Sequence, residues 1–335
     1  MSLDEIKKRN HYIPKVYLRR FQNNETKLFV YKKGKEFFNE GITKEDRLLT
    51  VEGEDGLNII GVKNKLYIPD GDQIEDKNIF EDFFSQEIES KYDEFIKCVE
   101  DNFFDAQLIF EKYKDYIINL ISSMMSRTLH SKAEMEEMYK VGFQMHNWAQ
   151  LSNPNNIPEM KTFLTEKFPT MTNEEVNKAI EDYLIMIEKG EFGVKLPRNL
   201  FIEHIFKNYN LFSNLISDMT IQILKSKDPN YFITTDNPVV YFVPKEKISF
   251  PYGHKSLGGP YTELYFPIAK NLCLVLSRIK IEVLSGIIAS KDMVDTINNH
   301  LSHNSRDYIY SSEQAIFLEK FIENYIPYPY KLKIK

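Results

Sequence analysis

The sequence predicts an α+β fold in which a helical middle packs on a mostly antiparallel sheet built from the N- and C-terminal segments. Two observations support it. Short β-branched and aromatic runs, separated by Gly, Pro and Asn, occur before residue 70 and after residue 229, whereas apolar residues between them recur at helical spacing. The length, 335 residues, suits one large domain or two medium ones. We predict a single unit with three subregions, at 1–70, 71–228 and 229–335.

The N-terminal subregion has the pattern of strands and turns. "KLFVYKKGKEFFN" alternates and turns at Gly34, which predicts a β-hairpin or two short strands, and residues 48–69 set glycine and proline among β-branched residues. Upstream, Pro14 in "NHYIPKVYLRRF" is suited to begin a short helix. That helix would turn its apolar residues inward and leave Arg19 and Arg20 more exposed.

The middle subregion is predicted to form four helices, at 79–101, 107–151, 172–190 and 200–226. In the third, Thr172 can act as the N-cap with Glu175 three residues later, which is a capping box. Gly190 is suited to end the same helix in the left-handed conformation.

The C-terminal subregion returns to a strand pattern. "NYFITT" and "VVYFV", split by "DNP", and then "TELYFPIA" and "LCLVLS" predict four strands. "KDMVDTINNHLSHNS" is typical of a helix and "RDYIYSS" of an extended segment. A terminal helix is predicted to follow, capped by Ser311 or Ser312.

Composition limits the environment of the chain. It has no run of eighteen apolar residues, which excludes a membrane-spanning helix, and its first ten residues lack the apolar core of a signal peptide. Cys98 and Cys273 lie 175 residues apart in apolar surroundings, so no disulfide framework is required. We therefore expect a cytoplasmic protein that has no contact with a membrane.

Charge is unevenly distributed along the chain. The net charge of −6 argues against a general nucleic-acid coat. Residues 1–35, however, hold ten Lys or Arg against three acids, and residues 70–111 hold fourteen acids against three lysines. Either the two segments attract one another, or the first offers a basic face to a phosphate-bearing partner such as a nucleic acid or a nucleotide.

The order of six motifs resembles a known bacterial family. The motifs are "HYIPKVYLRRF", Glu81 with "EIE" at 87–89, Arg127–Thr128, "FITTDNPVV" at 232–240, "FPIAKNLCLVLS" and "NHLSHNSRDYIYS". Together they resemble the domain of unknown function numbered 4238. Members often carry two histidines before the tyrosine, whereas Asn10 stands first here. The resemblance implies a shared fold and a candidate site, and it supplies no activity.

His11 is the first candidate for chemistry. Nearby cations disfavour its imidazolium form, so we expect a lowered pKa and a neutral ring available as a base, a ligand or an acceptor. The alternative is that His11 merely caps a turn. Around it, Tyr12, Tyr17, Arg19 and Arg20 are the predicted substrate-binding residues of this segment.

A second group of candidates lies near the C-terminus. Asp236 and Asn237 follow the β-branched run that ends at Thr235, and polar groups at strand ends often meet ligands. The same residues are also ordinary turn chemistry. Arg306 could clamp a phosphate or carboxylate, or it could neutralise a neighbouring acid. Thr235 and Asn304 are the predicted substrate-binding residues of this second group.

Arg127 closes an apolar helical run, where an arginine is usually tied to a carboxylate. Glu81 and Glu89 are its expected partners, either in a structural ion-pair network or as a paired-carboxylate site. His300 and His303 have a spacing compatible with one metal, but no third ligand follows at zinc-type spacing. No metal ligands are assigned, although Mg²⁺ or Mn²⁺ is compatible with the chemistry below.

Two functions fit these candidates. In the first, the chain is a nuclease-like or other phosphate-ester hydrolase: His11 acts as base or metal ligand, Asp236 as acid or metal ligand, and Asn237 orients the substrate. Arg127 and Arg306 would stabilise negative charge. In the second, the same cluster fixes the fold or binds a small ligand or a protein, without catalysis. The first function requires His11 and Asp236 to become neighbours in the folded chain.

Overall fold

The computed structural model describes residues 9–70, 78–151, 153, 155–244, 247, 257–279 and 286–326. The architecture is α+β, as the sequence predicts, and the described chain divides into two compact units. The larger unit holds the residues up to Ser131 and those from Arg198 onward, and the smaller unit is Lys132–Pro197. Every strand of the described chain belongs to the larger unit.

The described secondary structure comprises eleven strands and eleven α-helices, numbered here in chain order. The strands are β1 (Arg9–His11), β2 (Lys27–Lys32), β3 (Leu48–Glu52), β4 (Val62–Asn64), β5 (Thr220–Lys225), β6 (Thr234–Thr235), β7 (Val240–Phe242), β8 (Glu263–Ala269), β9 (Leu272–Ser277), β10 (Ile287–Ile288) and β11 (Tyr308–Ser311). The helices are α1 (Lys15–Arg19), α2 (Gly53–Leu57), α3 (Ile79–Phe83), α4 (Tyr92–Asp101), α5 (Ala106–Ser126), α6 (Leu129–Leu151), α7 (Asn156–Lys167), α8 (Asn173–Lys189), α9 (Arg198–Ile216), α10 (Lys291–Asn304) and α11 (Ile316–Glu323).

The described strands form three sheets. A four-stranded antiparallel sheet has the order β3-β2-β11-β6, so strands from both chain ends pair within it, as predicted. A five-stranded sheet has the order β10-β5-β9-β8-β7 and is antiparallel except where β10 joins β5. The short strands β1 and β4 form an antiparallel pair. One buried apolar cluster draws side chains from both larger sheets and from α10 and α11.

The predicted helix at 200–226 is wrong in its second half. Helix α9 ends at Ile216, and β5 follows within four residues. The isoleucines of "TIQILK", at 221 and 223, point to one buried face of the sheet. The β-branched residues of this segment pack better on a pleated surface than in a helix, and antiparallel pairing with β9 secures them there.

Two other long helices are interrupted. The predicted helix at 79–101 is divided by a π-helical turn (Phe84–Ile88) and a 3₁₀ turn (Glu89–Lys91), and the predicted helix at 107–151 is divided at Arg127. At the second break Arg127 serves as the C-cap of α5, and its side chain pairs with the half-buried carboxylate of Glu89. Apolar periodicity continues across both breaks, so the pattern alone does not reveal them.

Two predicted turns and caps near the chain ends also differ. Gly34 does not close a hairpin, because a 3₁₀ turn (Lys35–Phe38) follows it and β3 is the strand that pairs with β2. Ser311 belongs to β11, and α11 begins only at Ile316. The backbone N–H of Ala315 donates to the Tyr31 hydroxyl (2.7 Å), so a distant side chain satisfies this helix start in place of a local cap.

The smaller unit is helical, with α7, α8 and most of α6. Its α8 has the predicted capping box: the Glu175 N–H donates to Thr172 Oγ1 (3.3 Å), and the Thr172 N–H donates to Glu175 Oε2 (2.8 Å). Gly190 ends the helix with φ +63°, the left-handed conformation that glycine adopts without strain. Among all the helices described, none combines the length and apolar character needed to cross a bilayer.

Candidate functional site

Asp236 lies directly after β6 and is buried. Its Oδ1 accepts a hydrogen bond from the backbone N–H of Arg306 (2.9 Å), and its Oδ2 accepts one from the N–H of Asp307 (2.7 Å). The Asp236 N–H in turn donates to the Tyr308 carbonyl (3.2 Å). These bonds join the end of β6 to the start of β11, so strand pairing and the carboxylate position one another.

Asp307 is the second carboxyl at this point, and its side chain is 18% exposed. Burial and then the neighbouring Asp236 raise the pKa of Asp307 to about 7. Arg306, whose Nε lies 3.3 Å from Asp307 Oδ2, and His130 act in the opposite direction. A carboxyl with this pKa is close to half protonated at neutral pH, as a group that exchanges protons with a substrate must be.

Lys33 is a buried lysine that interacts electrostatically with both carboxyls. Lys33 Nζ donates to the Ser302 carbonyl (2.8 Å) and lies 4.9 Å from the centre of the Phe321 ring. Burial lowers the pKa of Lys33 to about 8, and the charges of Asp236 and Asp307 partly offset that effect. Burial also raises the pKa of Asp236, against the two N–H donors and the charges of His130 and Lys33.

The term aspartate cluster is used below for Lys33, His130, Asp236, Arg306 and Asp307. Three of its members, Lys33, His130 and Asp307, are not among the site residues predicted from the sequence. Two of them could be found from the pairing of β2 with β11, because Lys33 directly follows β2 and Asp307 directly precedes β11. The Lys33 N–H donates to the Asp307 carbonyl (2.8 Å). Nothing in the local sequence marks His130, which is buried at the start of α6.

Gly34 and the tyrosines Tyr12 and Tyr310 border the aspartate cluster. A Cβ at Gly34 would stand 2.8 Å from a carboxylate oxygen of Glu36 and 2.9 Å from Asp307 Oδ1, which explains the glycine. Tyr12 and Tyr310 are buried, and burial followed by nearby negative charge or phenol groups raises the pKa of both hydroxyls. Tyr12 is therefore a neutral neighbour of Asp236.

His11, the residue beside Tyr12, has a different environment. Its ring donates to the Leu57 backbone, and its Nε2 is buried without a hydrogen-bond partner in the described part of the chain. The pKa of His11 is lowered, as the sequence suggests, but burial is the first cause. The charges of Lys15 and Arg127 lower it further, whereas Glu89 raises it.

Arg127 is only 1% exposed, and its Nη2 lies 3.0 Å from Glu89 Oε1. Its guanidinium carbon is 4.6 Å from the centre of the Phe84 ring, and the Tyr67 hydroxyl donates to its carbonyl (2.9 Å). The Arg127 Nε has no hydrogen-bond partner among the described residues. Glu89, one of the two expected carboxylates, therefore forms an ion pair with Arg127.

His11, Glu81, Glu89 and Arg127 are named here the arginine cluster. Glu81 joins it through the Asn10 amide, whose Nδ2 donates to Glu81 Oε2 (3.2 Å). Within the described part of the chain, the hydrogen bonds of His11 and of Asp236 have no partner in common. The sequence neighbours His11 and Tyr12 therefore interact with two different clusters, His11 with Glu89 and Arg127 and Tyr12 with Asp236.

The remaining predicted residues of the N-terminal segment are engaged in the fold. The Tyr17 hydroxyl is completely buried, shares a hydrogen bond with Thr234 Oγ1 (2.5 Å) and donates to the Pro267 carbonyl (2.8 Å). Arg19 Nε pairs with Glu54 (2.6 Å), and Arg20 Nη2 donates to Asp93. Arg20 and Asp93 belong to the basic and acidic segments, so these segments do attract one another.

The predicted C-terminal residues form a chain of turn contacts. Thr235 Oγ1 donates to the Asn237 carbonyl (2.7 Å), and Asn237 Nδ2 donates to the Asn304 carbonyl (3.1 Å). Asn304 Nδ2 donates to the His300 carbonyl (2.7 Å). The Asp-Asn-Pro segment therefore has the turn chemistry that the sequence left open, and it also aims Asp236 at β11.

Imidazoles and acids do not combine into a metal centre in the described chain. His300 packs 4.4 Å from the Phe242 ring centre, and His303 packs 5.2 Å from that of Phe321. Among the residues described, no group of three or more His, Cys, Asp or Glu side chains is arranged to hold a metal ion.

Comparison with known proteins adds one finding. No curated protein and no solved structure matches the chain. The model of one family, described as Protein of unknown function (DUF4238), matches residues 9–315 and so covers both compact units and both clusters. The chain belongs to the DUF4238 family.

Proposed function

We propose that this protein is a phosphate-ester hydrolase in which Asp307 transfers the proton, its pKa being raised first by burial and then by the buried Asp236. One observation carries the proposal: the partly exposed Asp307 carboxyl has a pKa of about 7 and lies 3.3 Å from the exposed Arg306 guanidinium, and its backbone N–H donates to the buried Asp236 (2.7 Å). Perturbed acids of this kind concentrate at functional sites, because proton transfer is fastest when the pKa is near the working pH.

Each member of the aspartate cluster has a role in the proposed reaction. The carboxylate of Asp307 accepts a proton from water, the water oxygen bonds to phosphorus, and the P–O ester bond breaks. The proton then passes from Asp307 to the leaving oxygen. Arg306, 41% exposed, offers further N–H donors to the phosphate oxygens beside its contact with Asp307.

Asp236 acts as a positioning residue in this proposal, because both of its oxygens accept backbone N–H groups and it is buried. His11 and Arg127 belong to the arginine cluster and take no part in proton transfer. The proposal thus keeps the substrate class inferred from the sequence and retains Asp236 and Arg306. It gives up the requirement that His11 and Asp236 be neighbours, because Asp307 takes the proton-transfer role that the sequence analysis gave to that pair.

A second candidate function is a non-catalytic binding module in which the same groups hold the fold. This candidate is favoured by the two backbone N–H groups that donate to the oxygens of Asp236. A buried carboxylate with such partners can hold two strands together without taking part in a reaction. The ion pair of buried Arg127 with Glu89 favours it as well.

An activity assay separates the two. The purified chain is incubated with RNA, DNA and nucleotides, with and without Mg²⁺ or Mn²⁺, from pH 5 to pH 9. We expect cleavage whose rate changes with a pKa near 7, and a loss of about 10²–10⁴-fold in Asp307→Asn. Asp93→Asn, an exposed aspartate on α4, is the matched control and should cleave at the wild-type rate.

Two outcomes contradict the hydrolase. Cleavage that persists equally in folded Asp307→Asn would place the activity elsewhere. An absence of cleavage in the wild-type protein, under all these conditions, would favour the binding module.

A further inference from the structure

A groove lies on one face of the five-stranded sheet, and none of its lining residues belongs to either cluster. The pairing register explains its floor. Thr220, Ser277 and Glu263 stand in one cross-strand row on β5, β9 and β8. The next row on the same face, two residues along each strand, is Gln222, Val275 and Tyr265.

The N-terminal half of α10 forms the other wall and encloses a cavity of about 370 Å³. Its full lining is Thr220, Gln222, Leu224, Glu263, Tyr265, Val275, Ser277, Asp292, Met293, Thr296 and Ile297. This volume is within the range of sites that hold small molecules. None of the residues that the sequence singles out as a site is among them.

The lining has a definite charge. It includes two carboxylates, Glu263 and Asp292, and no Lys, Arg or His among the described residues that form it. Glu263 Oε2 accepts the Tyr265 hydroxyl (2.7 Å), so one carboxylate is oriented on the sheet without an ion-pair partner in the described chain. Burial, followed by this bond, raises the pKa of Tyr265, which keeps the phenol neutral as a donor.

The lining also changes character along the groove. Leu224 and Ile297 are almost completely buried at one end, whereas Thr220, Asp292 and Thr296 are half-buried or exposed at the other. A ligand that fits has an apolar or aromatic body and a positively charged group. A carboxylate facing an aromatic ring and no cation attracts an ammonium ion and repels an anion.

We propose that this groove binds a small organic ammonium ion, with Glu263 as the counter-ion, Tyr265 beside the ligand body and Asp292 at the mouth. The inference does not depend on the proposed hydrolase, because the groove and the aspartate cluster have no residue in common.

The test titrates 2-phenylethylammonium into the full chain and measures binding by calorimetry and ligand-observed NMR. Its neutral and anionic analogues, 2-phenylethanol and 3-phenylpropanoate, are titrated in parallel. We expect the ammonium ion to bind and the analogues to bind at least tenfold more weakly. Glu263→Gln, which keeps an oxygen for Tyr265, should weaken ammonium binding at least tenfold.

Two further variants distinguish a change in the groove from misfolding of the protein. Asp295→Asn removes an exposed carboxylate of α10 that pairs with Lys291 outside the groove, and it should bind like the wild type. Thr296→Trp fills the groove from an exposed position and should abolish binding. No ammonium binding at millimolar concentration, equal binding of the alcohol, or unchanged binding in folded Glu263→Gln would overturn the proposal.

Discussion

At the scale of single residues, the buried Lys33 and Asp236 and the half-buried Asp307 influence one another's charge. Asp236, Asp307 and Lys33 each lose hydration, and that loss is the first cause of all three pKa shifts. Fixed partners reduce the free-energy cost of removing these groups from water. The partners are backbone N–H groups for Asp236, Arg306 for Asp307 and the Ser302 carbonyl for Lys33. The cluster is therefore a balance of charges, and removing one member disturbs the others.

The pH dependence of stability tests this balance. The pKa of Asp307 is raised from 3.8 to about 7 on folding, so its contribution to stability is present below pH 4 and declines as the pH rises through 7. We expect the free energy of unfolding of the wild type to fall between pH 4 and 8, relative to Asp307→Asn, by about 4 kcal/mol. Urea unfolding at each pH measures this difference. Parallel pH profiles for the two proteins would refute the raised pKa.

The sequence points to Asp236 and Arg306 of this cluster, because polar residues beside strands attract notice. It does not reveal that Asp307 has the perturbed pKa. That property arises from burial and from Asp236, which lies 71 residues away in the chain. A pKa depends on the charges nearest in space, so no local pattern contains it.

At the scale of secondary-structure elements, local signals succeed where the stabilising contacts are local. Both the capping box and the glycine C-cap of α8 appear as predicted, and Ser290 caps α10 through the Met293 N–H (3.3 Å). Local signals fail where a distant group decides. The break at Arg127 accompanies an ion pair with Glu89, and α11 begins at a hydroxyl supplied by Tyr31.

The capping box has a measurable contribution. Thr172→Ala should destabilise α8 by about 1 kcal/mol, because the Glu175 N–H loses its acceptor. Hydrogen exchange of the amides in the first turn of α8 should accelerate accordingly. Thr165→Ala, inside exposed α7, is the matched control, since its hydroxyl only bonds back to the Lys161 carbonyl (2.9 Å). Equal effects of the two substitutions would show that the capping box contributes nothing.

At the scale of the whole molecule, the four-stranded sheet unites the two chain ends. β11 lies between β2 and β6, so residues almost 280 positions apart form adjacent strands. Loop closure over such a distance is costly in entropy, and apolar burial must offset it. Ile309 contributes to that burial: it is completely buried and stands opposite both Tyr31 and Thr235.

Ile309→Ala should therefore lower the free energy of unfolding of the larger unit by about 2–5 kcal/mol, through lost apolar contact and the cavity left behind. Far-UV circular dichroism during urea unfolding measures the loss. Glu313→Ala, at an exposed position just beyond β11, should change stability by less than about 0.5 kcal/mol. A mild effect of Ile309→Ala would mean that β11 is not a central support of this sheet.

The α+β class, the ends of α8 and the contribution of both chain ends to one sheet all follow from periodicity and capping chemistry, which act within a few residues. The change from helix to strand at Thr220, the different hydrogen-bond partners of His11 and Asp236 and the groove above β5, β8 and β9 do not. Each arises from pairing between segments distant in sequence, and there burial and register decide which residues meet. The family match extends over these same segments, so the two clusters and the groove are where its unknown function is to be sought.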